Sequence, residues 1–177
     1  MPHCFDVMHQ YGRIPDNTDI RQLALQNPPV AMCPGDFLGS DTTPGVMTAA
    51  LISTDQAWAG TLTATQVAAA AAGKFIGVNL QEVDTDVCAV LPDCIPYAYR
   101  RTGSLFRRAY RIVDVNGADA PAVWVMGQGF TFGKQPGQNL LSNNTIQLST
   151  TANDIVFRAV KSSGPGALAY AEVEFST

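Results

Sequence analysis

Short apolar runs separated by turn-forming residues make up most of the chain from Pro34 onward. PGDFLGSD reads as a turn, a short strand and a second turn, and TTPGVMTAAL repeats the scheme around Pro44-Gly45. FIGVNL and DVCAVLPD read as two more strands, joined by the polar QEVDT. Residues 97–115, YAYRRTGSLFRRAYRIVDV, alternate in character about Thr102-Gly103-Ser104 and predict a hairpin. PAVWVMG, NTIQLST, DIVFRAV and ALAYAEVEF complete the series, each bounded by Gly, Asn, Asp, Ser or Pro. About ten short strands at this spacing predict a mainly β fold, a β-sandwich or β-barrel. Trp124, between Val123 and Val125, belongs in the core. In GQGFTFG, Gly127 and Gly129 bend a strand or form a bulge; a cofactor loop would need G-x-G-x-x-G inside a βαβ unit.

One segment breaks the two-residue period. In LTATQVAAAAAGKFIGVNL, Thr63 and Gln66 have capping-box spacing, and Leu62 and Val67 fall where a hydrophobic staple requires. Ala68 to Ala72 are strong helix formers, and Gly73 suits a left-handed helix end. The spacing predicts one short helix over about 63–73. A helix this short is marginal alone and must lie on a scaffold. Gly73-Lys74 closes this helix, whereas a phosphate loop opens one, and Phe75 stands where the hydroxyl would be.

Residues 1–33 have a different texture. Pro2, Pro15, Pro28 and Pro29 interrupt a segment that still carries Phe5, Val7, Tyr11 and Ile14. Proline at this density blocks helix and ladder, yet the segment is too apolar for a disordered tail. Two readings stand: an irregular wrap over its own domain, or an extended N-terminal arm that docks on a neighbour through Phe5, Tyr11 and Ile14. The organisation expected is this arm, 1–33, followed by a single β-rich domain, 34–177. FIGVNL then DVCAVL, and DIVFRAV then GALAYAEVEF, also echo one another as a duplicated half-barrel would.

Charge narrows the function classes. Charged residues are 15 % of the 177 and the net charge is −4, so the chain as a whole is no electrostatic nucleic-acid binder. A surface so poor in charge suits a protein whose faces other subunits cover. No run of about twenty apolar residues is present, so no transmembrane helix and no membrane partner are expected. MPHCFDVMHQ lacks the layout of a signal peptide, which points to synthesis in a cytoplasm. Cys4, Cys33, Cys88 and Cys94 match no zinc or redox spacing and are expected as reduced, mostly buried thiols. His3, Cys4 and His9 are too irregularly spaced to argue for a metal, and no cofactor is expected. These two histidines are the chain's whole supply; no G-x-S-x-G elbow exists, and the chain is not expected to be an enzyme.

The densest charge feature is Arg100, Arg101, Arg107, Arg108 and Arg111, interleaved with Tyr97, Tyr99, Phe106 and Tyr110. Alternation sends Arg108 to one face and Arg107 and Arg111 to the other. A protein contact is favoured, with the acidic Glu82, Asp84, Asp86 and Asp93 of a neighbouring copy as one counterpart. The alternative is a β-barrel that binds nucleic acid or a ligand through this hairpin, by aromatic stacking and phosphate contacts.

The order of segments resembles that of tailed-bacteriophage capsid cement (head decoration) proteins. Gly35, Asp36 and Leu38 match a "GD-x-L" strand; Trp58, Leu62, Thr65 and Gln66 match the segment leading into an alanine-containing helix; Phe75, Gly77 and Val78 match "F-x-G-V". NDIVFRAVKSSGPGALAYAEVEF is similar to the family's closing strand pair, with Phe157-Arg158 where a glycine is usual. The likeness covers roughly residues 33–95 and 144–176. It implies a β-rich structural virion protein on the outside of an icosahedral capsid, bridging neighbouring capsomers. The implied partners are the major capsid protein and further copies of itself, as a trimer.

Overall fold

The computed structural model describes residues 20–25, 29–40, 48–52, 64–86, 91–92, 94–100, 106–138 and 140–176. The described chain is mainly β, with ten strands and one α-helix. In order these are β1 (Ile20–Leu25), β2 (Phe37–Ser40), β3 (Thr48–Leu51), α1 (Ala64–Lys74), β4 (Phe75–Asn79), β5 (Cys94–Tyr99), β6 (Arg108–Ile112), β7 (Gly129–Lys134), β8 (Leu141–Leu148), β9 (Phe157–Ala159) and β10 (Tyr170–Phe175).

The strands close into two five-stranded barrels, ordered β1-β3-β2-β4-β5 and β6-β8-β7-β9-β10. In the first, β1 runs parallel to β3 and every other pair is antiparallel. In the second, β6 runs parallel to β8 and every other pair is antiparallel. Numbered from its own first strand, each barrel therefore has the order 1-3-2-4-5 with its parallel pair in the same place. Helical geometry also recurs at the corresponding connection: α1 lies between the third and fourth strands of the first barrel, and a 3-10 turn, Ala152–Asp154, lies there in the second. Closure leaves no unpaired sheet edge among the described strands.

Alternation along the strands builds two cores. In β2, Leu38 points into the first barrel with Met32, Leu51, Val83, Ile95 and Tyr97. Its neighbour Phe37 points the opposite way, into a larger cluster that includes the second barrel's interior. Phe37 and Phe75 from the first barrel meet Tyr110, Phe132 and Phe157 from the second, with ring centroids 4.9–5.5 Å apart for the Phe37–Tyr110, Phe37–Phe132, Phe37–Phe157, Phe75–Phe132 and Phe75–Phe157 pairs. Such aromatic pairs add stabilisation beyond the area they bury. The seam is thus continuous core, which is why FLGS and FIGVN are apolar on both faces.

Several expectations change. Ile20–Leu25 is a barrel strand paired with β3 and β5, and Met32 bridges Val83, so these residues of the stretch read as an extended arm belong to the first barrel. Residues 1–19 lie outside the described residues. The 97–111 hairpin does not form: β5 pairs with β1 and β4, whereas β6 pairs with β8 and β10. Residues 101–105, which join one barrel to the next, lie outside the described residues. PAVWVMG is no strand, because serine side chains take over the ladder's work. Ser163 Oγ accepts from the Trp124 N–H at 3.1 Å and Ser162 Oγ from the Met126 N–H at 2.9 Å. Trp124 is buried as expected, its indole N–H donating to Lys161 O.

The helix is eleven residues long and runs through Gly73 directly into β4. Gly73 is not left-handed; Gly127, at φ +82°, makes the turn before β7, and the irregularity in that strand falls between Phe132 and Lys134. Thr63 lies outside the described residues. Gly77 is set by close approach: a Cβ there would stand 2.0 Å from Ala98 O. Of the echoed segments, FIGVNL and DIVFRAV do hold the same place, the fourth strand of each barrel. The fifth strand of the first barrel is CIPYAY; residues 87–90 of DVCAVL lie outside the described residues.

The cysteines also differ from the expectation of four reduced, buried thiols. Cys94, at the start of β5, is disulfide-bonded, and Cys33 is a free, exposed thiol. Cys4 and Cys88 lie outside the described residues.

Candidate functional site

The seam between the barrels takes up two of the arginines that the sequence singles out, Arg100 and Arg108, and uses them internally. Arg100 follows β5 and lies half-buried over the Phe75 ring, 5.7 Å from its centroid. Its Nη1 donates to Ala72 O at 2.6 Å, near the end of α1, and its Nε to Ser176 O at 3.4 Å, just beyond β10. One side chain thereby ties helix, first barrel and the end of the second. Burial pulls its pKa below the usual guanidinium value.

Arg108 opens β6 and reaches the other way. Its Nη2 donates to Pro34 O at 2.7 Å, and its guanidinium lies against Gly35, where φ is +100° and a Cβ would collide with it. Two residues on, the buried Tyr110 hydroxyl donates to Gly35 O at 3.0 Å. Desolvation drives the Tyr110 pKa well above the ordinary phenol value. Asp36 accepts the Cys33 N–H at 2.7 Å. Burial raises its pKa, opposed by that N–H and by the Arg108 charge. These groups line a cleft of about 310 Å³ with Arg111, Asn144 and Tyr170 around them.

The remaining site residues divide. Arg107 pairs with Glu174 at 3.7 Å and Arg111 with Asp119 at 3.2 Å, both exposed. Exposed pairs of this kind contribute about 0–1 kcal/mol each. Arg108, expected on the opposite face from Arg107 and Arg111, borders the same cleft as Arg111. Phe5, Tyr11, Ile14 and Arg101 lie outside the described residues. Glu82, Asp84 and Asp86 are exposed and follow the first barrel's fourth strand. Asp36 and Tyr110 escaped the sequence reading as a pair, since 74 positions separate them; the only local signal was the Pro-Gly-Asp turn.

A second surface has a different character. Val123, Val125 and Met126 are 58, 67 and 70 % exposed, and Leu168, which bridges Ala122, is 44 % exposed. They form an apolar ridge on the second barrel beside buried Trp124. Among the described residues no three His, Cys, Asp or Glu side chains converge as a metal site, and no helix is long and apolar enough to cross a membrane. Comparison with protein-family models, with curated proteins and with solved structures gives no match.

Proposed function

We propose that this chain is a structural virion protein, a capsid cement protein that binds the outside of a tailed-phage head and bridges neighbouring capsomers. The observation that carries the reading is the apolar ridge of Val123, Val125 and Met126 on a closed-barrel scaffold. Exposed apolar surface of this kind marks a protein contact. The resemblance of segment order supplies the class of partner. Asp36, Leu38, Phe75 and Val78 are all buried in or beside the first barrel. A disulfide at Cys94 suits an extracellular particle assembled after synthesis in a host cytoplasm. The partners are the major capsid protein and further copies of the chain in a trimer.

We favour this reading over the nucleic-acid alternative. The described arginines and tyrosines of 97–111 divide between two barrels, and Arg100 and Arg108 are spent on backbone carbonyls. The test is to add purified protein to undecorated phage heads and sediment them. Wild-type protein sediments with the shells, while Val125→Asp/Met126→Asp stays in solution with an unchanged melting temperature. Equal sedimentation of the variant, or no sedimentation of the wild type, overturns the proposal. Salt-steep binding to single-stranded DNA would favour the alternative.

A further inference from the structure

The two barrels match residue by residue as well as in strand order. Ala24 pairs with Thr48 in the first, and Arg111 with Thr145 in the second. Aligning these pairs places Arg108 of β6 on Arg21 of β1, and Tyr110 on Leu23. The remaining strands keep the same alignment: Leu38 pairs with Leu51 as Phe130 does with Leu148, and Asn79 with Tyr97 as Ala159 does with Val173. The turn that enters each second strand repeats too. In Cys33-Pro34-Gly35-Asp36 the Asp36 N–H donates to Cys33 O, the Gly35 N–H to Asn79 O and the Asn79 N–H to Asp36 O. In Val125-Met126-Gly127-Gln128 the Gln128 N–H donates to Val125 O, the Gly127 N–H to Ala159 O and the Ala159 N–H to Gln128 O. The third residue of each turn is a glycine at positive φ, +100° and +82°.

Only one of these two turns is engaged by the other barrel. The first is seated on β6, where Pro34 O accepts from Arg108 and Gly35 O from Tyr110. The second lies at the surface. Val125 and Met126 are the most exposed members of the apolar ridge. Gly127 O is taken by Arg158 of the same barrel, but among the described residues no donor reaches Met126 O, the counterpart of Pro34 O. The receiving strands show the same imbalance. Tyr110 of β6 is buried, its ring centroid 4.9 Å from that of Phe37 of the first barrel. Its counterpart Leu23 is only half-buried, and Arg21, the counterpart of Arg108, is exposed above the Tyr99 ring. Each chain therefore carries one turn seated on one strand, and a second turn and a second strand of the same design that are not joined to each other.

We propose that the chain associates head to tail with further copies of itself, the 125–128 turn of one copy docking on β1 of the next as the 33–36 turn docks on β6 within the chain. The turn supplies Val125, Met126 and the Met126 carbonyl; β1 supplies the Arg21 guanidinium and the uncovered part of Leu23. The contact is no replica of the seam. Gly129 stands where Phe37 does, so no aromatic side chain enters the neighbour, and Val125 and Met126 provide the apolar area where the first turn has Cys33 and Pro34. A contact between two different surfaces leaves one of each free until a ring closes. In the trimer proposed above, six barrels alternate around that ring. The inference rests on the reading of the ridge as a protein contact and deepens it by giving Val125 and Met126 to a second copy; it does not require a phage head.

Sedimentation velocity of the full chain across a dilution series, with no shells present, tests it. Wild-type protein should associate reversibly. Val125→Asp/Met126→Asp and Arg21→Glu, all at exposed positions, should each weaken self-association about tenfold or more at unchanged melting temperature. The milder Met126→Ser and Arg21→Gln should shift it in the same direction. Mixing is the decisive arm. The first variant keeps an intact β1 and the second an intact turn, so together they should form a one-to-one complex that grows no further. A wild type that stays monomeric, association unchanged in Arg21→Glu, or two variants that fail to combine overturns the contact. Shell sedimentation judges the cement reading separately: self-association without shell binding refutes that reading alone, and shell binding by a monomeric chain refutes this contact alone.

Discussion

Gly73 and Asp36 show how differently single residues can stand towards the fold that contains them. Gly73 is helical and exposed, and a Cβ there would meet nothing within 4 Å. Glycine costs a helix interior roughly 0.5–1 kcal/mol relative to alanine. Gly73→Ala should therefore stabilise the chain by about that amount, read as a higher urea midpoint; a loss would mean that the helix end needs glycine after all. Asp36 is constrained by its surroundings. Burial raises its pKa above 3.8, so the folded chain holds a proton that the unfolded chain has already released. The stability this contributes is complete below the unfolded pKa and disappears as pH rises through the folded one. Asp36→Asn removes the dependence while retaining an acceptor for the Cys33 N–H. Its stability relative to wild type should climb as pH is raised from about 4 to 7. A difference independent of pH would mean that Asp36 titrates as an ordinary surface carboxylate.

At the scale of elements, the strands are joined by rings more than by charges. Phe37, on a four-residue strand, packs against Tyr110, Phe132 and Phe157 across the seam while Leu38 fills its own barrel. Truncating a buried phenylalanine typically costs about 3–5 kcal/mol. Phe37→Ala should fall in that range by urea unfolding, and hydrogen exchange should quicken in β7 and β9 as well as in β2. Faster exchange confined to the first barrel would show that the seam does not couple them. Two elements were hidden in the sequence at this scale. CIPYAY carries Pro96, which argues against a strand on local grounds, yet β1 and β4 flank it on either side. PAVWVMG has strand composition throughout, but Ser162 and Ser163, some 36 to 39 positions away, accept hydrogen bonds from its backbone N–H groups.

For the whole molecule, the repeated 1-3-2-4-5 order makes the chain two versions of one barrel, joined face to face. Neither half is self-sufficient: separation would expose Phe37 and Phe75 on one side and Tyr110, Phe132 and Phe157 on the other. A chain cut within residues 101–105 and expressed as two fragments should reassemble, with the fragments co-purifying. Either fragment alone should aggregate or remain unfolded. Two independently soluble, non-associating fragments would contradict a shared core. Arg100 and Arg108 reinforce the junction through carbonyl contacts on opposite partners.

Period-two alternation bounded by turn residues was enough to determine a mainly β chain with about ten strands, and alanine content with cap spacing was enough for the helix. These are local signals, legible because neighbouring residues dictate which backbone hydrogen bonds are available. The number of barrels, the strand that Ile20–Leu25 contributes and the pairing partners of 94–112 were decided by tertiary structure. The same alternation satisfies a hairpin or two strands in separate barrels equally well. Only burial of the Phe37–Phe157 cluster, between residues 120 positions apart in sequence, distinguishes them. The cleft of Asp36, Arg108 and Tyr110 is of the same kind: its chemistry arises where distant segments exclude water together.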